Sequence, residues 1–123
     1  MPENKLREKS KKFAMRIVKL NRYLTDKVRE RVLSAQLLRS GTSIGANICE
    51  AGYAQSKKDF VSKMSIALKE AAETEYWLEL LLEGEFVTQT QVESLRADCV
   101  ELVKMLTATI NTTKRRIFLE EKI

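Results

Sequence analysis

The most informative pattern in the sequence lies at Leu37-Leu38-Arg39-Ser40-Gly41-Thr42-Ser43-Ile44-Gly45-Ala46-Asn47-Ile48-Cys49-Glu50-Ala51-Gly52. With about 3.6 residues per helical turn, this stretch carries an apolar stripe along one side and a stripe of very small residues beside it. The small residues are Gly41, Gly45, Cys49 and Gly52. A glycine inside a helix costs about 1 kcal/mol relative to alanine, so Gly41 and Gly45 require a compensating gain. The pattern therefore predicts a helix that a neighbouring helix approaches closely.

The rest of the chain shows the same helical periodicity. It contains one proline, Pro2, and four glycines, so long helices can run without interruption. Residues 1–123 are predicted to form a single domain of the all-α class, an up-down antiparallel four-helix bundle. Thr25 or Asp26 is expected to cap the second helix. The predicted helices cover about residues 5–24, 27–51, 57–83 and 89–117.

The composition argues against several classes of function. No apolar run approaches the roughly 18 residues needed to cross a bilayer, so a cytoplasmic protein without a membrane segment is expected. The sequence has no histidine, which removes the usual general base and the commonest transition-metal ligand. Cys49 and Cys99 fall on inward-facing helix positions, where they suit apolar filling better than a disulfide. We therefore expect no enzyme activity, catalytic residue, metal or cofactor.

Charge is distributed unevenly along the chain. The net charge is +5, yet residues 1–40 hold twelve Lys and Arg against four acids. Residues 70–101 hold nine acids and a single cation, Arg96. Such polarity favours either a surface that faces nucleic acid or a partner of matched charge.

The first predicted helix carries a stripe of cations beside its apolar stripe, with no acid among them. This basic stripe consists of Lys5, Lys9, Lys12, Arg16 and Lys19. Together with Arg22 it is the best candidate for nucleic-acid binding in the sequence. The alternative interpretation is a solvated face whose lysines keep the protein soluble.

A second group of cations, Lys114, Arg115 and Arg116, lies near the end of the last predicted helix. Cations in the last turns of a helix interact favourably with the helix dipole, and they can equally bind phosphate. Both interpretations remain open for these residues.

A polar stripe follows the small residues of the second helix, at Arg39, Ser43, Asn47 and Glu50. If the second and third helices form an antiparallel hairpin, Arg39 lies opposite Glu70 and Glu73, and a guanidinium there is expected to pair with one of them. We interpret the six residues as a structural polar network in the first place and as a ligand site in the second.

Two segments carry a resemblance to a known family. They are R-S-G-T-S-I-G-A-N-I-C-E-A at residues 39–51 and S-K-K-D-F-V-S-K-M-S-I-A-L-K-E-A-A-E-T-E-Y-W-L at residues 56–78. Both resemble the four-helix-bundle proteins named after 23S rRNA intervening sequences, which are similar to the accessory variability protein of diversity-generating retroelements. The resemblance implies a ring-like homo-oligomer, a pentamer of bundles, with a role at nucleic acid.

Two kinds of function follow from these observations. The first is a non-enzymatic, oligomeric protein that binds RNA or DNA through its basic surface, with contacts directed by shape and charge. The second is a protein-protein interaction scaffold, for example an accessory subunit for a reverse transcriptase, whose basic stripe meets acidic surfaces of its partners.

Overall fold

The structure is a computed structural model that describes residues 2–122, with side chains described for residues 4–122. Four helices, joined by short connections, account for nearly all of these residues, and no strand occurs among them. They are α1 Pro2–Tyr23, α2 Val32–Ala51, α3 Lys57–Glu83 and α4 Gln89–Glu121. Each helix packs against the next, and α4 packs against α1. The all-α four-helix fold expected from the sequence is confirmed.

Apolar residues from all four helices form one continuous core between them. The largest fully buried side chains include Phe13 and Ile17 of α1, Ile44 of α2, Met64 of α3 and Leu102 of α4. In the described part of the chain, no helix combines the length and the apolar character that a membrane span requires.

The second helix begins later than predicted. The prediction of a helix from residue 27, capped by Thr25 or Asp26, is wrong, because Leu24–Val28 continues α1 as a π-helical turn. The Thr25 hydroxyl donates backwards to the Asn21 carbonyl at 2.9 Å instead of capping a following helix. Leu24 is buried and Val28 is partly buried, and the two residues lie one turn apart. The widened turn is favoured because it keeps both side chains against the core.

The carboxylate of Glu30 caps α2. Its oxygens accept hydrogen bonds from the backbone N–H groups of Val32, Leu33 and Ser34, at 3.1, 3.2 and 2.8 Å. A negative charge at this position also interacts favourably with the helix dipole. Arg29, just before it, has a φ of 64°, which ends the preceding turn in the left-handed conformation.

The last helix also ends later than predicted, at Glu121 instead of residue 117. Lys57 at the start of α3 forms an ion pair with Glu120, and Lys58 pairs with Glu121 at 3.1 Å. These contacts hold the final turn of α4 against the start of α3. Sequence periodicity could not reveal them, because the partners lie far apart along the chain.

Close packing of α1 against α2 explains the two glycines in the middle of α2. A Cβ atom added at Gly41 would lie 2.8 Å from two carbon atoms of Ile17, which is fully buried. A Cβ at Gly45 would lie 3.3 Å from Ser10 Oγ. The close approach predicted from the small-residue stripe is therefore present, and its partner is α1.

Replacing Gly41 by alanine should destabilise the protein. Overpacking against Ile17 costs about 1–3 kcal/mol, whereas alanine recovers about 1 kcal/mol of helix propensity. We expect Gly41→Ala to lower the free energy of unfolding by about 1 kcal/mol, the middle of the difference between these two opposing effects, as measured by urea denaturation at fixed protein concentration. Gly45→Ala is the matched control and should be close to neutral. A Gly41→Ala protein as stable as the wild type would contradict this account of the packing.

Replacing Glu30 by alanine should remove the α2 cap. We expect a loss of about 1–2 kcal/mol in the free energy of unfolding, the usual cost of losing an N-terminal cap. Asp26→Ala, which deletes a nearby acid that does not cap α2, should change the stability by less than about 0.5 kcal/mol. Equal effects of the two substitutions would show that Glu30 acts only through its charge.

Candidate functional site

The outward side of α1 carries an open groove of about 470 Å³ with cations along it. Met15 lies in this groove with half of its surface exposed, and Glu8 supplies the one acid among the lining residues. The lining residues are Glu8, Lys11, Lys12, Met15, Arg16 and Lys19. Because α1 is a regular helix, these side chains repeat along one straight face about 16 Å long between Glu8 and Lys19.

The basic stripe predicted from the sequence divides into two groups in the structure. Lys9 and Arg16 lie towards α4 and pair with its acids. Lys9 Nζ lies 3.6 Å from Asp98 Oδ1 and 3.0 Å from Glu101 Oε2. Arg16 Nη1 lies 2.6 Å from Asp98 Oδ2. The charges of these two cations are therefore largely matched within the chain.

The remaining cations of α1 face solvent. Lys5, Lys12, Lys19 and Arg22 are all exposed, and none of them lies within ion-pair distance of an acid whose side chain the structure describes. Lys11, on the same side, was not among the predicted binding residues. The angular position of Lys11, adjacent to Met15 on the outward side of α1, is the signal that could have identified it.

The cations near the end of α4 form a separate group. Lys114, Arg115 and Arg116 are exposed, and Arg116 lines a cavity of about 290 Å³ together with Ser56, Lys57 and other residues at the start of α3. Lys122 lies over the ring of Phe118, with its Nζ atom 5.1 Å from the ring centre. The lining of this cavity includes no residue of α1, so the structure does not join this group to the α1 groove.

The predicted ion pair of Arg39 is present. Its Nη1 atom lies 3.1 Å from Glu70 Oε2, and its other terminal nitrogen pairs with Glu73. Glu73 also accepts a hydrogen bond of 2.9 Å from the indole N–H of Trp77. The guanidinium thus joins α2 to α3 at the surface of the bundle.

The other members of the predicted polar network do not reach a second helix. Ser43 Oγ donates to the Arg39 carbonyl at 2.7 Å, and Asn47 Nδ2 donates to the Ser43 carbonyl at 2.8 Å. Both bonds stay within α2, as is usual for short polar side chains in helices. Glu50 is exposed and has no hydrogen bond with the described side chains. The network therefore consists of Arg39 with Glu70 and Glu73.

A buried polar contact that sequence reasoning missed lies between the same two helices. The hydroxyls of Ser40 and Thr74, both fully buried, are 2.9 Å apart. Thr74 Oγ1 also lies 2.7 Å from the Glu70 carbonyl oxygen. Since small hydroxyl residues are common in helices, only the three-dimensional pairing shows that these two are partners.

Within residues 4–122, no group of three or more Cys, Asp or Glu side chains is arranged to hold a metal ion. Both cysteines are free, Cys99 fully buried and Cys49 partly exposed. Burial, and secondarily the negative charge of Glu75, raises the pKa of the Cys99 thiol to about 12. Cys99 thus remains a protonated thiol at neutral pH, and its Sγ lies 3.4 Å from the Ala71 carbonyl oxygen.

Comparison with known proteins identifies similar chains. A family model described as 23S rRNA-intervening sequence protein matches residues 2–108. A crystal structure from Bacteroides thetaiotaomicron, described as a protein of unknown function from the S23 ribosomal protein family, is 53% identical, with a TM-score of 0.89. The alignment covers 90% of this chain and 99% of that chain. No match was found among curated proteins.

Thiol alkylation should distinguish the two cysteines. At pH 8, we expect iodoacetamide to modify Cys49 of the native protein and to leave Cys99 intact, because thiolate is the reactive species and a pKa of about 12 leaves very little of it. Mass spectrometry should find one modification per native chain and two after unfolding in urea. Cys49→Ser is the control, and rapid labelling of that native variant would contradict the buried, protonated state of Cys99.

Proposed function

The chain belongs to the family of 23S rRNA-intervening sequence proteins, and from this premise we propose that it binds RNA or another nucleic acid without catalysing a reaction. The binding surface is the outward side of α1, which we call the α1 face. Its members are Lys5, Lys11, Lys12, Lys19 and Arg22. Binding to RNA is consistent with a cytoplasmic location.

The single observation that carries the proposal is the exposure of these cations around the α1 groove. Glu8 is the one acid that lines the groove, so the local charge is strongly positive, whereas the acids of α3 lie on another helix. Lysine and arginine side chains on a straight helix neutralise phosphates and release counterions, which is the main source of sequence-independent affinity for nucleic acids.

The chemistry of the α1 face favours contacts with the backbone of a structured nucleic acid. The residues that line the groove include no aromatic side chain on which an unpaired base could stack. They also include no asparagine or glutamine, the side chains suited to reading adenine. Lysine and arginine can contact guanine in DNA, but the deep, narrow major groove of an A-form RNA duplex keeps base edges out of their reach. With duplex RNA, recognition would therefore depend on charge and shape. Lys114, Arg115 and Arg116 can extend the contact if the nucleic acid also reaches the end of α4.

Assembly into a homo-oligomer would repeat the α1 face. The proposed arrangement is a ring, a pentamer as the family resemblance implies, in which several such faces could engage one polyanion. A second contact made by the same assembly is intramolecular and benefits from a high effective concentration. Moderate binding by each subunit would then become strong binding by the ring.

A scaffold is the alternative function. The observation that favours it is the pairing of Lys9 and Arg16 with carboxylates inside the chain, because the exposed cations of α1 could pair in the same way with acids of another protein. The partner would be a neighbouring subunit or an enzyme such as a reverse transcriptase. In that case, raised salt would weaken the assembly and RNA would not compete for the basic surface.

Charge reversal tests the nucleic-acid proposal. We expect Lys12→Glu with Lys19→Glu to weaken binding of a fluorescein-labelled duplex RNA at least tenfold at 50 mM salt, and to reduce the salt dependence, as measured by fluorescence anisotropy. The loss of two phosphate contacts should lower the slope of log affinity against log salt by about 1.8, using the value for duplex DNA. Native mass spectrometry of each protein records whether the oligomer is retained.

Lys69→Glu with Lys104→Glu is the matched control. It makes the same change in net charge, but at exposed positions of α3 and α4 that lie outside the α1 face. It should therefore weaken binding far less. Equal losses in the two variants, or undiminished binding by the α1 variant, would contradict the assignment of the α1 face.

A further inference from the structure

We propose that Asp98 and Glu101 of α4 compete with nucleic-acid phosphates for Lys9 and Arg16, and thereby limit the affinity of the basic surface of α1. The inference rests on the proposed nucleic-acid binding and identifies an element that regulates it. Lys9, Arg16, Asp98 and Glu101 are called the α1–α4 charge cluster below.

The geometry of the α1–α4 charge cluster makes Asp98 a bridge between the two cations. One of its oxygens lies 3.6 Å from Lys9 Nζ and the other lies 2.6 Å from Arg16 Nη1. Lys9 and Arg16 are seven residues apart, about 10 Å along α1. A carboxylate placed between them occupies the position from which a phosphate could reach both. Glu101, 3.0 Å from Lys9 Nζ, completes the neutralisation.

The cations of this cluster remain accessible to a ligand. The Arg16 side chain is 40% exposed, and Arg16 also lines the α1 groove beside Lys12 and Lys19. A guanidinium has five N–H donors, and the structure shows one nitrogen of Arg16 bonded to Asp98. A phosphate in the groove can therefore approach Arg16, but it must share or replace the carboxylate to gain the full interaction.

The electrostatic consequence follows from the charges alone. With both acids ionised, two positive and two negative groups cancel, so the cluster adds no net charge to the α1 face. Neutralising the acids leaves a charge of +2 next to Lys12 and Lys19, on the same helix. The bundle itself should tolerate this change, because partly exposed ion pairs contribute little to stability and α1 and α4 share the apolar core.

The test compares two variants of equal net charge. Asp98→Asn with Glu101→Gln neutralises the acids of the cluster, and Glu79→Gln with Glu83→Gln removes two exposed acids of α3. We expect the first to bind duplex RNA about tenfold more tightly than the wild type near 100 mM salt, with a salt slope steeper by up to about 1.8, since two further phosphate contacts become available. The α3 variant should gain less than threefold.

A mutant cycle tests whether the gain passes through the two cations. In a protein that also carries Lys9→Ala and Arg16→Ala, neutralising Asp98 and Glu101 should give no larger gain than the α3 variant gives in the wild-type background. A full tenfold gain in the absence of Lys9 and Arg16 would overturn the competition. Circular dichroism and thermal unfolding show whether each variant is folded. If the variant with both acids neutralised unfolds, Asp98→Asn alone, which keeps an oxygen acceptor for Arg16, takes its place in the binding measurement.

The outcomes separate this inference from the function on which it rests. One outcome is that the wild type binds RNA through Lys12 and Lys19, while neutralising Asp98 and Glu101 raises the affinity for RNA no more than the α3 variant does. In that case the competition is overturned and the proposed function stands. If neither the wild type nor the neutralised variant binds RNA or DNA at 50 mM salt, both are overturned. Binding that appears only after neutralisation supports the competition in its strongest form.

Discussion

The arrangement of the bundle follows from the close approach of α1 to α2 at Gly41. Ile17, which is fully buried, fills the space that a side chain at position 41 would need, and Gly41 is itself buried. This contact sets how deeply α1 sits in the bundle and how it is rotated about its axis. With Ile17 turned inward, the opposite side of α1, with Lys12 and Lys19, must face solvent.

The same rotation explains why the basic stripe divides. Residues that lie between the buried side and the outward side of α1 are brought next to α4, where Asp98 and Glu101 meet Lys9 and Arg16. Cations a few tens of degrees further round the helix escape this pairing. A small change in angular position thus separates cations that stabilise the contact between helices from cations that are available to a ligand.

The buried polar groups of the bundle are satisfied within the protein. The buried hydroxyls have hydrogen-bond partners, and no buried side-chain nitrogen or oxygen in the described part of the chain is left without one. The Cys99 thiol is held in its protonated form. An interior with satisfied polar groups stabilises a rigid support, and a rigid helix keeps charges such as Lys12 and Lys19 at fixed spacing, which the proposed binding of a polyanion requires.

The helical class and the number of helices could be predicted from the sequence, because helical periodicity and the glycine pattern are local properties of the chain. The sequence also indicated that Arg39 pairs with Glu70 or Glu73, since a short turn between α2 and α3 fixes which residues lie opposite, and the structure shows both contacts. The tertiary structure decided the start of α2, through Glu30, and the fate of the basic stripe. Arg16 and Asp98 are 82 residues apart in the chain, and no periodicity within either helix reveals that their charges meet. The packing of α1 against both α2 and α4 decides which cations are neutralised and which remain exposed.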